Sequence, residues 1–229
     1  MKTLVVTPTY NERENLETLV ASLPDVSLLI VDDASPDGTG ELADMLAAAH
    51  PDCVHVLHRE KKLGLGSAYL AGFRYGIDHG FEAICEMDAD GSHDPSALQL
   101  LMNAARDADV AIGSRRVRGG KIIGWGAHRH LMSHGAMFFA RYVLGLRTRD
   151  VTSGFRLYRA SAVRALLAQN IQSNGYAFQE ETLFYCEKLG FRVCEVPVTF
   201  TDRIHGRSKL SWKEIIEFFV TIERLRKSK

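Results

Sequence analysis

The sequence predicts an α/β fold in which a mostly parallel central sheet is flanked by helices within a single domain. Short apolar runs rich in Val, Ile and Leu alternate with stretches of helical period through residue 114, a pattern typical of strand–helix–strand units around a parallel sheet. Clusters of polar residues come directly after these apolar runs, where ligands bind in such sheets. The 229 residues contain no repeat and no Pro- or Ser-rich linker, and one α/β domain accounts for this length.

The first half divides into strands and the helices between them. The strands are predicted from the apolar runs at 3–7, 27–31, 54–58, 83–87 and 109–113. Asn11 and Asp37 are predicted to cap the first two helices, because such side chains accept hydrogen bonds from the N–H groups of a first turn. A third helix is predicted after Gly66, and a fourth begins at Pro95, since proline suits a first helical turn.

The second half adds longer helices to the same domain. A segment of helical period at 125–146 carries aromatic, Met and basic residues, and it predicts either a core helix or an interfacial one. Further strands are predicted near 155–158 and 192–198. Further helices are predicted near 162–169, 178–189 and 211–229, the last of them amphipathic and basic at its end.

Composition limits the classes of function. Lys and Arg together number 28, as do Asp and Glu, so the chain lacks the net positive charge typical of general nucleic-acid binding. The four cysteines form no CxxC pair and fall in predicted strands or helices, which predicts reduced, buried thiols in a cytoplasmic protein. No apolar run reaches about 18 residues, so any contact with a membrane is predicted to be peripheral.

The strongest chemical signal is the segment MDADGSH at 87–93, at the end of an otherwise apolar strand. Asp88 and Asp90 are separated by one residue, so strand alternation puts both carboxylates on the same side. Oxygen ligands of this kind suit Mg²⁺ or Mn²⁺, which keep open positions for substrate phosphates. The alternative interpretation is a pair of aspartates that only cap the loop.

Two further clusters follow the first and second predicted strands. After the second strand, Asp33 is the predicted ligand contact, whereas Asp32 is assigned a structural role as one interpretation. After the first strand, Tyr10 offers a ring to lie on a base and Glu12 a carboxylate beside it. The segment 61–66, KKLGLG, offers cations and free N–H groups to an anion, although an ordinary turn has the same composition.

Several motifs together resemble those of the family 2 glycosyltransferases of GT-A fold, and within them the dolichol-phosphate or polyprenol-phosphate mannose synthases. The resemblance extends over nearly the whole chain. Its motifs are PTYNE at 8–12, VDD at 31–33, SPDGT at 35–39, GLG at 64–66, DAD at 88–90, GSR at 113–115, TSGFR at 152–156, and Arg203 with GRSK at 206–209.

The resemblance implies inverting transfer of mannose from GDP-mannose to dolichol or polyprenol monophosphate, with a β-linked product. It implies donor contacts from Pro8, Tyr10, Glu12, Val31, Asp33, Asp88, Ala89, Asp90, Arg115, Arg203 and Lys209. It implies metal ligation by Asp88 and Asp90, with Ser92 where some members have Gln. It implies an acceptor-phosphate site of Arg115, Arg129 and Ser133, and direct catalytic roles for Asp90, Arg115 and Lys209.

The resemblance also sets expectations for partners and organisation. We expect residues 1–118 to form the nucleotide-sugar and metal half and residues 119–229 the acceptor half. We expect peripheral attachment at the cytoplasmic face of a membrane, with a small membrane subunit as a possible partner and no nucleic acid. A phosphate monoester is already anionic at neutral pH, so no protein base is expected.

Other interpretations remain open from the sequence. UDP-glucose as donor, or another family 2 transfer to a sugar hydroxyl, would keep the fold; a non-enzymatic nucleotide-sugar sensor would need neither the metal pair nor the acceptor site. His128, His130 and His134 lack an HExxH pattern and are interpreted as core or interfacial residues rather than zinc ligands. Gln179 or Glu180 is predicted either to touch a sugar hydroxyl or to be structural.

Overall fold

The computed structural model of the protein describes residues 1–202 and 212–228. The strands are β1 Thr3–Thr9, β2 Ser27–Asp32, β3 Val54–His58, β4 Ala83–Glu86, β5 Val110–Ser114, β6 Lys121–Ile123, β7 Arg156–Arg159, β8 Val193–Pro197 and β9 Thr199–Thr201. The helices are α1 Arg13–Ser22, α2 Thr39–Ala49, α3 Leu65–Asp78, α4 Leu98–Ala104, α5 Ala127–Leu144, α6 Ala160–Leu167, α7 Phe178–Lys188 and α8 Trp212–Lys227, with a 3₁₀ turn at Pro95–Ala97 before α4.

The main sheet has the strand order β3-β2-β1-β4-β7-β5-β8. Strand β7 is antiparallel to both β4 and β5, and the other neighbouring pairs are parallel. The predicted fold class, a mostly parallel sheet flanked by helices in one domain, is therefore confirmed. Strands β6 and β9 form a separate parallel pair that the sequence did not predict.

Alternate residues of the central strands supply two apolar cores, one on each face of the sheet. Leu4 and Val6 of β1 pack with Tyr69 of α3, whereas Val5 lies in the cluster that includes Leu98 of α4. This alternation follows from the two-residue period of a strand. Helix α3 lies so close to β1 that a Cβ atom at Gly72 would overlap with the side chain of Val6.

The predicted cap at Asn11 is wrong. Asn11 has a left-handed backbone with φ of 59°, and its N–H donates to Oγ of Ser35, so it belongs to a turn between two loops. Asparagine tolerates this conformation better than most residues. At α2 the N-cap is Gly38, but Oδ1 of Asp37 accepts from the N–H of Thr39 at 3.0 Å, so the carboxylate still lies at the helix start.

Helix α5, which lies within the segment 125–146, buries one face and exposes apolar residues on another. Met137 and Ala140 are buried, whereas Leu131, Phe138 and Tyr142 are 73%, 70% and 80% exposed. Helix α8 packs against α5, and the rings of Phe139 and Phe219 lie 5.4 Å apart. Across residues 1–202 and 212–228, no helix combines the length and the apolar character needed to span a bilayer.

Candidate active site

A cleft of about 280 Å³ opens where β1, β2 and β4 end. The carboxyl ends of parallel strands meet at one edge of a sheet, so this is where the polar clusters were expected to gather. Of the sequence-predicted donor residues, seven line it: Pro8, Tyr10, Glu12, Asp33, Asp88, Ala89 and Asp90. Val31 does not, because it lies inside β2 with its side chain in the apolar core. Arg203 and Lys209 lie outside the described residues.

The two aspartates of the DAD motif are held by neighbouring groups. Oδ1 of Asp88 accepts a hydrogen bond of 3.0 Å from the hydroxyl of Tyr69 in α3. Oδ1 of Asp90 accepts from the backbone N–H of Ser92 at 3.0 Å. Asp90 is only 7% exposed, so burial as well as this hydrogen bond restricts its carboxylate before any ligand arrives.

His93 supports this loop from behind. The backbone N–H of Asp88 donates to its Nδ1 at 3.2 Å, and its ring stacks on Phe155 with centroids 5.1 Å apart. Burial lowers the pKa of His93, although the carboxylates of Asp88 and Asp90 oppose that shift. An accepting Nδ1 requires the Nε2–H tautomer, so His93 acts as a neutral, packed support.

The oxygen groups at the loop fit a hard divalent cation. Oγ of Ser92 is buried and makes no hydrogen bond within the described part of the chain, which is unusual for a buried hydroxyl. With Asp88 and Asp90 it forms an all-oxygen set of the kind that Mg²⁺ and Mn²⁺ favour. Among residues 1–202 and 212–228, no group of three or more His, Cys, Asp or Glu side chains has metal-binding geometry.

The cleft lining also includes the predicted nucleoside contacts. Asp33 pairs with Arg59 at 2.7 Å and accepts from the N–H of Leu63 at 3.2 Å. Burial raises the pKa of Asp33, while the Arg59 guanidinium opposes the shift. The Nζ atom of Lys62 lies 3.7 Å from the ring centroid of Tyr10, so the KKLGLG segment does reach the cleft.

Asp32 has the structural role assigned to it from the sequence. Its Oδ1 accepts from Oγ of Ser35 at 2.6 Å and from Oγ1 of Thr9 at 3.1 Å, and its Oδ2 accepts from the N–H of Ser35. These bonds hold a turn in which Ala34 has a left-handed φ of 55°. The turn directs the neighbouring Asp33 into the cleft.

One wall of the cleft comes from the second half of the chain and was not predicted. Asn174, Gly175, Tyr176 and Glu214 line it. Oε1 of Glu217 accepts from the N–H groups of Asn174 and Gly175 at 2.9 and 3.1 Å, and Oε2 of Glu214 accepts from that of Tyr176 at 2.9 Å. Helix α8 therefore holds the wall in place. The turn-forming dipeptide at 174–175 was the available sequence signal.

The predicted acceptor residues lie outside the cleft lining, and Arg115 forms a buried ion pair. Nε and Nη2 of Arg115 bind Asp150 at 2.8 and 2.6 Å, and Nη2 also donates to Thr152. Burial would raise the pKa of Asp150, but the Arg115 guanidinium outweighs it, and the pKa lies below the usual value. Nε and Nη2 of Arg115 are thus engaged in a buried ion pair. Without this pair Asp150 would be an uncompensated buried charge.

Arg129 and Ser133 lie one turn apart on α5. Arg129 pairs with Asp202 at 2.7 Å and stacks over Trp125, with 4.2 Å from Cζ to the ring centroid. Ser133 accepts a hydrogen bond of 3.1 Å from Nη2 of Arg116, a residue that the sequence reasoning did not select. The structure therefore brings Arg115 and Arg129 to the same tryptophan and gives Ser133 a different arginine.

Gln179 and Glu180 are buried beneath the site. Nε2 of Gln179 donates to Oε2 of Glu86 at 2.9 Å, and the fully buried Arg156 donates to the backbone oxygen of Gln179 at 2.7 Å. Both side chains are under 5% exposed, and neither lines the cleft. Of the two interpretations from the sequence, this arrangement favours the structural one.

Comparison with known proteins places these features in a family. The model of glycosyl transferase family 2 matches residues 4–167, which include the cleft aspartates and the first seven strands. The chain belongs to glycosyl transferase family 2. As in the sequence-based expectation, it is a glycosyltransferase.

Two curated members of the family match almost the full chain. The undecaprenyl-phosphate mannosyltransferase of Micrococcus luteus is 47% identical over 228 residues, covering 98% of this chain and 93% of that protein. The polyprenol monophosphomannose synthase of Mycolicibacterium smegmatis is 48% identical over 221 residues, covering 94% of this chain and 83% of that protein.

A solved structure extends the likeness of fold. The mannosyltransferase of Pyrobaculum calidifontis, determined in complex with GDP-Man and Mn²⁺, aligns with a TM-score of 0.64. It shares 16% sequence identity and covers 97% of this chain and 64% of its own longer chain. At this identity the alignment establishes the shared fold of the two glycosyltransferases.

Proposed function

We propose that this glycosyltransferase transfers mannose from GDP-mannose to a polyprenol monophosphate with inversion, giving a β-linked polyprenol-phosphate mannose. The observation that carries the proposal is the joining of Asp88 and Asp90 with Tyr10 and Asp33 in one cleft. The two curated relatives, at 47% and 48% identity, bear names with the same activity, and this supports the choice of sugar and acceptor.

The donor nucleoside would lie at the end of the cleft formed by Pro8, Tyr10, Glu12 and Asp33. The Tyr10 ring offers a flat apolar surface for a base, and carboxylates accept hydrogen bonds from base or ribose groups. The Arg59 pair and the Leu63 N–H hold the Asp33 carboxylate in one position. Such a preset position reduces the ordering cost of binding.

Asp88, Asp90 and Ser92 would hold a divalent ion, Mg²⁺ or Mn²⁺, which when bound offsets the negative charge of the diphosphate leaving group. Tyr69 and the Ser92 N–H restrict the two carboxylates. His93, stacked on Phe155, accepts from the N–H of Asp88 and so supports the backbone of this loop. The solved neighbour that contains GDP-Man and Mn²⁺ supports a requirement for a divalent ion.

The acceptor phosphate would be held by the guanidinium of Arg129 and the hydroxyl of Ser133, one turn apart on α5. Arg115 can reach it only through Nη1, since its Nε and Nη2 are bound to Asp150 and Thr152. The phosphate monoester attacks the anomeric carbon as an anion, so these residues need only align it opposite the leaving diphosphate. In-line attack inverts the anomeric centre. Lys209 and Arg203 remain proposed donor contacts.

We further propose peripheral attachment at the cytoplasmic face of a membrane through the exposed apolar faces of α5 and α8. Leu131, Phe138 and Tyr142 on α5 and Ile216 and Val220 on α8 are between 61% and 80% exposed. A patch of this kind on two adjoining helices suits burial at a lipid surface, which is where a polyprenol phosphate is found. The four free cysteines agree with a reducing compartment.

A transfer assay across donors tests the function. Purified protein would be given radiolabelled GDP-mannose or UDP-glucose with polyprenyl phosphate in detergent, and the anomeric configuration of the product read from its one-bond C–H coupling. We expect label in the lipid from GDP-mannose only, with a β linkage. Transfer from UDP-glucose alone would overturn the mannose assignment, and no lipid product from either donor would overturn the acceptor.

Liposome co-sedimentation tests the attachment separately. Protein alone should sediment with anionic vesicles, and Phe138→Ser should reduce the bound fraction. Sedimentation only after addition of membrane extract would replace direct attachment with a small membrane subunit as the anchor.

A further inference from the structure

Arg116 is a half-buried arginine whose side-chain partners among the described residues are a serine and a histidine. Its Nη2 donates to Oγ of Ser133 at 3.1 Å, and its Nη1 lies 3.1 Å from Nε2 of His134. Its Nε is buried and makes no hydrogen bond within residues 1–202 and 212–228. An N–H group buried without a partner has lost its hydration and gained nothing in exchange.

The neighbouring cations are differently placed. Arg115 is paired with Asp150 at 2.6 Å, and Arg129 with Asp202 at 2.7 Å. No carboxylate of the described residues forms an ion pair with Arg116, so the charge of this cluster is balanced at two of its three arginines. Burial lowers the pKa of Arg116, although Asp150 opposes the shift. Of these three arginines, Arg116 is therefore the one without a carboxylate partner among the described residues, and its guanidinium lies beside Ser133.

His134 holds the Arg116 side chain in this position. Its Nδ1 lies 2.8 Å from the backbone oxygen of His130, so Nδ1 carries the proton and donates it there. Nε2 is then the acceptor for Nη1 of Arg116. The guanidinium is thus fixed against Ser133 by an imidazole, and no carboxylate of the described residues pairs with it in competition with an incoming anion.

We propose that Arg116 binds the phosphate monoester of the acceptor together with Ser133, as a further contact beside those proposed for Arg115 and Arg129. This inference rests on the proposed function and assigns a further binding residue to it. A phosphate supplies several acceptor oxygens, and an arginine can meet two of them through adjacent N–H groups. A small rotation of the Arg116 side chain would bring Nε, which lacks a partner, to one of them.

Binding and turnover together test the role of Arg116. Calorimetric titration would use farnesyl phosphate, farnesol and inorganic phosphate as probes with the full chain. The variants are Arg116→Gln, Arg116→Lys and, as the matched control, Arg118→Gln, which removes an exposed arginine two residues away. Steady-state assays would give KM for the donor and for the lipid phosphate separately.

We expect wild type to bind farnesyl phosphate and not farnesol. Arg116→Gln should weaken that binding and raise the acceptor KM by about tenfold or more, with the donor KM unchanged. The binding and acceptor KM of Arg116→Lys should lie between those of wild type and Arg116→Gln, and both values for Arg118→Gln should match wild type. Inorganic phosphate bound as tightly as farnesyl phosphate would show a general anion site and overturn the assignment to the acceptor.

Two further results separate this inference from the function on which it rests. Equal acceptor KM and affinity in Arg116→Gln and wild type would overturn the role of Arg116 alone. Wild-type protein that binds farnesyl phosphate but transfers no mannose to it would overturn the proposed function, while loss of that binding in Arg116→Gln would still identify the phosphate contact. Thermal unfolding of each variant checks that the fold is retained, and Arg116→Lys provides the test if Arg116→Gln does not fold.

Discussion

The hydroxyl of Tyr69, in the buried face of α3, donates a hydrogen bond of 3.0 Å to Oδ1 of Asp88 in the cleft. Burial, and then the charge of Asp88, hold the pKa of Tyr69 well above its usual value, so the hydroxyl keeps the proton that it donates. A residue of the apolar core thereby sets the position of a carboxylate at the candidate metal site.

Tyr69→Phe should therefore lower activity without unfolding the protein. Loss of one hydrogen bond to a carboxylate corresponds to about 1.5–3 kcal/mol, so we expect kcat/KM to fall by roughly tenfold or more, with a higher divalent-ion concentration at half-maximal rate. Tyr75→Phe, on the same helix but away from the cleft, is the control. Equal metal dependence in the two variants would show that Tyr69 does not position Asp88.

Asp90→Asn should abolish turnover at every Mg²⁺ or Mn²⁺ concentration, because an amide lacks the charge that a divalent ion requires. Thermal unfolding should change little. Asp94→Asn, which keeps the capping acceptor at the start of the 3₁₀ turn, should retain activity. In wild type, EDTA should stop transfer and added Mn²⁺ should restore it; transfer that persists in EDTA would exclude the metal-dependent scheme.

Glu217→Ala should weaken donor binding from a distance. The side chain accepts hydrogen bonds from the N–H groups of Asn174 and Gly175, which form the cleft wall. Without it the wall loses these two hydrogen bonds to α8 and keeps that of Tyr176 to Glu214, and we expect the donor KM to rise by about three- to tenfold with the acceptor KM unchanged. Glu223→Ala, on the same helix and paired with Arg226 and Lys227, should leave both constants unchanged. A matched change in the two variants would argue for a general effect on α8.

Gly72→Ala should destabilise the fold, because the added Cβ would overlap with Val6 where α3 meets β1. Overpacking of this kind costs about 1–3 kcal/mol. Gly135→Ala, in α5, meets no atom within 4 Å and should stabilise the helix by up to about 1 kcal/mol. Chemical denaturation compares the two. A Gly72→Ala protein as stable as wild type would show that the helix and strand can separate without cost.

Glu180 should make stability depend on pH. Burial raises its pKa to about 8, against the opposing hydrogen bond from its own backbone and the charge of Arg156. This folded-state pKa exceeds the unfolded value near 4.5. The contribution of Glu180 to the free energy of unfolding is therefore fully present below about pH 4.5 and is lost as the pH rises to about 8. Across that window the free energy of unfolding of wild type should fall relative to Glu180→Gln. Exposed Glu14→Gln should run parallel to wild type, and a constant difference for Glu180→Gln would contradict the assigned pKa.

The local pattern of apolar residues was enough to predict the positions of most strands of the main sheet. Strands β1 to β5 end within two residues of their predicted positions, because short runs rich in Val, Ile and Leu, bounded by polar or turn residues, leave few alternatives. Strands β6 and β9 were missed because three residues carry no measurable period. The insertion of β7 between β4 and β5 was also not predicted, since it depends on pairing between segments about 70 residues apart.

The residues of the cleft divide in the same way, into those that local sequence predicts and those that it does not. Asp33, Asp88 and Asp90 were predicted because each follows its strand directly, and strand ends of a parallel sheet lie together whatever the details of packing. Tyr69 and Glu214 were not, since nothing in a helix sequence indicates which distant loop it will face.

By itself the sequence determined the fold class, the family, and the edge of the sheet at which the cleft forms, because these depend on local periodicity and on motifs of adjacent residues. The tertiary structure decided how the charges are matched. Arg115 and Arg116 are neighbours with the same chemistry, yet one meets Asp150 from 35 residues away and the other meets Ser133. A buried charge takes whichever partner the fold brings within about 3 Å, and that distance exists only after the chain has folded.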